Sequence, residues 1–105
     1  MKKRALNARE KQVLRAAVDA IRKRLHPRKI VLFGSRAEGR ASRGSDFDLA
    51  VDRHRPPLRL ERELLEQIDE KTGLYKVDVV YLASVDKSFK DLILSTGKVI
   101  YEKSR

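Results

Sequence analysis

Residues 29–51 read KIVLFGSRAEGRASRGSDFDLAV, and the order of their parts decides the kind of fold around them. Lys29 to Phe33 is a short apolar run rich in β-formers, the pattern of a buried strand. It stops abruptly at Gly34-Ser35. A polar loop with Gly39 and Gly44 follows, and Asp46 to Val51 then alternates like a second strand. Two strands with no helix between them argue against a purely parallel, doubly wound sheet.

Upstream, Val13, Leu14, Ala17, Val18, Ile21 and Leu25 recur at helical spacing from Asn7 to Leu25. Asn7 with Glu10 has the form of a capping box, and Pro27 ends the helix. Downstream, Pro56-Pro57 break the chain, and Leu60, Leu64, Leu65 and Ile68 mark a second amphipathic helix closed by Gly73. Lys76 to Leu82 reads as a third strand. Ser88 with Asp91 is a second capping-box pattern, opening a short helix through Phe89, Leu92 and Ile93 that ends near Gly97. Val99 to Tyr101 is a final strand. The order α-β-β-α-β-α-β predicts an α+β fold, a small mixed sheet of about four strands with helices packed against it. A chain of 105 residues is expected to form a single domain, 1–105, with one modest core.

Composition narrows the function classes. Apolar residues make up 41% and charged residues 38%, so the chain should fold beneath a heavily charged surface. It has no cysteine, which excludes a disulfide scaffold and thiolate metal sites and fits a reducing compartment. His26 and His54 lack metal-ligand spacing, so zinc is not expected. No apolar run approaches the ~20 residues that span a bilayer, and the N-terminus lacks the apolar core of a signal peptide. A soluble cytoplasmic protein with no membrane partner is the expectation. The net charge is +10, and residues 1–29 carry eleven Lys or Arg against Glu10 and Asp19, so nearly all the excess lies there. A basic helix of this kind either attracts nucleic acid or an acidic protein, or is simply a solvated face. No aromatic residue is interleaved for base stacking, which weakens the case for single strands.

Chemistry concentrates between Gly34 and Asp48. A glycine directly after a buried strand lets the backbone turn sharply and approach a ligand closely. Backbone N–H groups at such a bend form an anion-binding concavity, and the Ser35 hydroxyl adds a donor. Arg36 and Ser45 flank the loop as further candidates for nucleotide contact, while Arg40 and Arg43 could steady phosphates or a partner. Asp46 and Asp48, two apart on a strand, project from one face, and Phe47 and Leu49 point into packing. Carboxylates side by side raise one another's pKa, a penalty that a divalent cation removes, and oxygen-only ligands suit magnesium. Asp78 is the odd charge in an apolar strand, and Lys76 shares its face. If that strand neighbours the second, Asp78 joins the pair, and three carboxylates facing a phosphate loop make a two-metal site.

Each part alone has a plainer explanation. Asp-x-Asp is common at turns, and a lone acid among valines can blunt an edge strand. The conjunction carries the chemistry: strand, Gly-Ser, ten residues, Asp-x-Asp in a strand, and a third Asp in another strand.

The string GSRAEGRASRGSDFDL, with the ending Gly97-Lys98-Val99-Ile100-Tyr101, resembles the minimal nucleotidyltransferase (MNT) branch of the DNA polymerase β-like nucleotidyltransferase superfamily. That resemblance implies transfer of a nucleoside monophosphate, usually from ATP, to an acceptor hydroxyl. It implies phosphate binding by Gly34 and Ser35, and magnesium held by Asp46, Asp48 and Asp78. Many MNT proteins are antitoxins paired with a helical HEPN ribonuclease toxin, which some of them inactivate by adding AMP to a tyrosine. The expected partners are therefore ATP and a HEPN-domain protein. The alternatives are a non-catalytic module that neutralises its partner by contact, or nucleotidyl transfer to RNA or a small molecule. Larger nucleotidyltransferases carry extra domains for the acceptor, so here the acceptor or a second subunit is expected to complete the site.

Overall fold

The computed structural model describes residues 5–42 and 44–104. Lys2, Lys3 and Arg4 of the basic segment and Arg43 of the loop lie outside the described residues.

Helix α1 (Ala8–Leu25) opens with the expected capping box. The Asn7 side chain accepts the Glu10 N–H at 2.8 Å, and the Glu10 carboxylate accepts the Asn7 N–H at 2.9 Å. It ends at His26, which takes a left-handed conformation (φ 48°) just before Pro27. The remaining elements are β1 (Lys29–Phe33), β2 (Phe47–Val51), α2 (Leu58–Thr72), β3 (Val77–Tyr81), α3 (Lys87–Thr96) and β4 (Lys98–Glu102). The strands form one mixed sheet in the order β3-β2-β1-β4. β1 runs antiparallel to both β2 and β4, whereas β2 and β3 are parallel and joined through α2.

Side chains alternate across a strand, so the sheet has two faces with different covers. One face sets Ile30, Leu32, Phe47, Leu49, Val51, Val77 and Tyr81 against Val13, Ala17 and Ile21 of α1 and Leu64 and Ile68 of α2. Full burial of each Val, Leu, Ile or Phe in such a layer stabilises the fold by about 1.5–3 kcal/mol. The other face sets Val31 and Ala50 against Leu82 and Ile93, with Phe33, Val80 and Phe89 packed around them. Asp48 and Asp78 stand two residues before Ala50 and Val80, in the same rows of this second face.

Three local expectations shift. Asp46 lies one residue before β2, and Lys76 and Leu82 flank β3 rather than belonging to it. The cap of α3 is Asp86, whose carboxylate accepts the Phe89 N–H at 2.8 Å, and not the Ser88–Asp91 pair. The helix starts at Lys87, so Ser88 already sits in the first turn while Asp86 has the extended backbone a cap requires.

Candidate active site

The site is built where β1 ends beside the start of β2. Phe33 pairs with Asp48 across these strands, which brings the next residue, Gly34, against the Asp48 side chain. Gly34 has φ +74°, and a Cβ there would collide with the Asp48 carboxylate. Glycine is required twice over, by conformation and by space. The chain then makes a tight turn in which the Glu38 N–H donates to the Gly34 carbonyl (3.2 Å) and the Arg40 N–H to that of Ser35 (2.9 Å). Ala37 anchors the turn in the core. N–H groups that open a helical turn have no carbonyl partner within it, which suits Gly34-Ser35 to an anion.

β2 and β3 supply the acids. β3 neighbours β2, and Asp48 and Asp78 are direct partners in the parallel register, so they sit side by side on one face. Asp46 lies two residues before Asp48. Burial, then the charge of Asp78, then that of Asp46 push the Asp48 carboxyl above its ordinary range, with Lys76 opposing. Asp48 therefore feels both of its predicted companions. The Lys76 ammonium stands 3.8 Å from the Asp78 carboxylate. Among the described residues, no three carboxylate, histidine or cysteine groups form a ready-made metal cage. Magnesium does not need one, because it is commonly held by one or two carboxylates together with substrate phosphates and water. An oxygen-only donor set whose carboxylates repel one another more than Lys76 offsets fits that ion.

Two of the expected nucleotide contacts are placed differently. The Arg36 side chain is fully buried and does not reach the open site. Its Nη1 donates to the Glu10 carboxylate at 2.6 Å, and its Nε and Nη2 donate to the Ser45 carbonyl at 3.1 and 2.7 Å. Its guanidinium lies 4.0 Å from the centre of the Phe47 ring. Arg36 is thus a strut between α1 and the residue preceding Asp46, because a counter-charge from α1 makes its burial affordable. The Ser45 hydroxyl accepts the Ser42 N–H at 2.9 Å and so closes the loop. Arg40 is exposed and pairs with Glu38.

Glu10 was legible only as a capping residue. Its second oxygen, which holds Arg36, had no signal in local sequence because the two lie 26 positions apart. A cavity of about 330 Å³ also opens beside Asp46, between Gly44 and Ser45 on one side and Leu74, Tyr75 and Lys76 on the other. The fully exposed Leu74 side chain marks its rim.

Comparison with known proteins agrees with this geometry. A protein of Haemophilus influenzae named "Probable protein adenylyltransferase MntA" is 34% identical over 74 residues, covering 70% of this chain. The chain spans 65% of that relative's length. A toxin–antitoxin complex crystallised with AMP-PNP contains a chain that superposes with TM-score 0.72 at 24% identity, covering 86% of this chain and 73% of the other. A complex of a tri-AMPylated Shewanella oneidensis HEPN toxin with its MNT antitoxin matches with TM-score 0.66 at 20% identity, over 90% of this chain and 73% of the other. These two likenesses establish the fold. Residues 17–105 match the family described as "Polymerase beta, Nucleotidyltransferase". That match takes in the whole sheet and both halves of the site, and the chain therefore belongs to the polymerase beta nucleotidyltransferase family.

Proposed function

We propose that this chain is a magnesium-dependent nucleotidyltransferase that moves AMP from ATP to a hydroxyl on a protein partner. The acceptor is a tyrosine of a HEPN-type ribonuclease toxin, and the chain acts in the cytoplasm as the antitoxin. The carrying observation is the side-by-side register of Asp48 and Asp78 next to the Gly34 bend. The name of the Haemophilus relative and the HEPN–MNT complex of similar fold support the acceptor class.

In this reading Gly34 and Ser35 seat the polyphosphate, and Asp46, Asp48 and Asp78 hold magnesium. Two ions there would neutralise the triphosphate and acidify the attacking hydroxyl. A bond forms between the acceptor oxygen and the α-phosphorus while the bond to pyrophosphate breaks. In the same reading Asp78, half exposed on the edge strand, takes the acceptor's proton. Arg36 keeps Ser45, and through it Asp46, at a fixed height above Phe47.

The test is incubation with labelled ATP, magnesium and a HEPN-type partner, read by intact mass of the partner. One or more added AMP masses are expected, lost with EDTA and in Asp46→Ala. No transfer with any divalent ion or nucleotide, or full transfer by Asp46→Ala, refutes the proposal. The exposed basic flank of α1 favours a second reading, neutralisation by contact alone. Suppression of the partner in cells by Asp46→Ala would select it.

A further inference from the structure

On the sheet face opposite Asp48 and Asp78, two cavities lie in series between α1 and β4. The first, about 280 Å³, is bounded by Lys11, Leu14, Arg15 and Val18 of α1 and by Ile100 of β4. The second, about 250 Å³, lies further along α1 and is bounded by Lys23, His26, Tyr101 and Lys103 among others. From Lys11 to His26 they make a groove roughly 22 Å long at 1.5 Å per helical residue. The first cavity has an apolar floor, since Leu14, Val18 and Ile100 pack only partly against the main core, whereas Arg22, Lys23, His26 and Lys103 make the second largely cationic. The rims are cationic, with Lys11, Arg15, Lys23 and Lys103 exposed and, among the described residues, no carboxylate lining either cavity.

We propose that this groove docks an acidic amphipathic helix from a protein partner. An apolar cavity between cationic rims, continued along α1 by a cationic one, is complementary to a helix with apolar residues at i, i+4 and i+7 and acids on both flanks. Nucleic acid fits less well. Phosphates gain nothing from an aliphatic floor, and the Tyr101 ring already carries the Arg22 guanidinium at 5.0 Å. A second copy of the chain is disfavoured by a net charge of +10 on each molecule. A helix seated here leaves the acidic site on the other face open. The inference stands whether or not the chain transfers nucleotides.

The probe is a fluorescent helical peptide of about 16 residues, long enough to fill the groove, with Leu at i, i+4, i+7 and i+11 and Glu on the flanks. Two further probes accompany it, a scrambled peptide of the same composition and a single-stranded RNA of similar charge. Binding by the whole chain is read by anisotropy, and the location by amide chemical shifts. The amphipathic peptide is expected to bind roughly tenfold tighter than the scrambled one. Its shifts should centre on Leu14, Val18 and Ile100, and the Lys11→Glu/Arg15→Glu variant should lose about tenfold in affinity. Both substituted residues are exposed, so the fold should survive, and the scrambled probe needs no variant at all. Equal binding of the scrambled peptide, no binding, or tighter binding of RNA sensitive to the same reversals overturns the proposal.

Discussion

Glu10→Ala removes the counter-charge from a guanidinium that has no access to water. Both side chains are fully buried and meet at 2.6 Å, and an orphaned buried charge of this kind costs about 3–5 kcal/mol. The same substitution deletes half of the capping box at Asn7, worth about 1 kcal/mol more. A domain of this size is stable by only about 5–15 kcal/mol, so the variant should sit near the edge of folding. At roughly 4–8 °C per kcal/mol its midpoint should fall by some 20 °C or more. Urea unfolding followed by circular dichroism measures the loss. Glu10→Gln separates the two contributions, because an amide oxygen can still accept the Asn7 N–H while the charge is gone. The double variant Glu10→Gln/Arg36→Met should recover much of the stability, since neither buried group is then charged. It should not recover transfer, because the Ser45 carbonyl loses both guanidinium donors and Asp46 its support. A loss below about 1 kcal/mol in Glu10→Ala, or a double variant no more stable than Glu10→Ala, would refute the strut.

Gly34→Ala should cost about 1–2 kcal/mol from its left-handed backbone alone, and it should cut transfer further by displacing the Asp48 carboxylate. Near-normal turnover would show that the bend does not position that acid. Asp48 holds its proton more tightly in the folded chain than its ordinary value of 3.8, so its ionisation costs stability as pH rises through the folded value. Asp48→Asn, which cannot ionise, should therefore raise the thermal midpoint at pH 7 in EDTA while abolishing transfer; a lower midpoint would contradict carboxylate crowding. Asp86→Ala should lower stability by about 1 kcal/mol through loss of the α3 cap, with transfer unchanged when assayed well below the midpoint.

Much of the molecule is legible in sequence because its signals are local. The periodicity of α1, the capping box at Asn7, the abrupt strand-to-glycine step at Phe33-Gly34 and the alternation after Asp46 each depend on residues a few positions apart. Those signals predict the element order and mark Gly34, Asp46 and Asp48 as neighbours through one short loop. The α3 cap falls at Asp86 and not at Ser88; both are good capping residues, and only the backbone conformation distinguishes them.

What tertiary structure decided was pairing between distant segments. Asp78 could have faced either side of the sheet, and a one-residue slip between β2 and β3 would have carried it away from Asp48. The observed register follows from burying Phe47, Leu49, Val77 and Tyr81 together under α1 and α2. Arg36 makes the same point from the opposite direction. Its place in a polar loop suggested a ligand contact, but a carboxylate on α1 drew it into the core. Sequence states which groups are present and their local geometry, whereas burial and long-range pairing choose the surface on which each one acts.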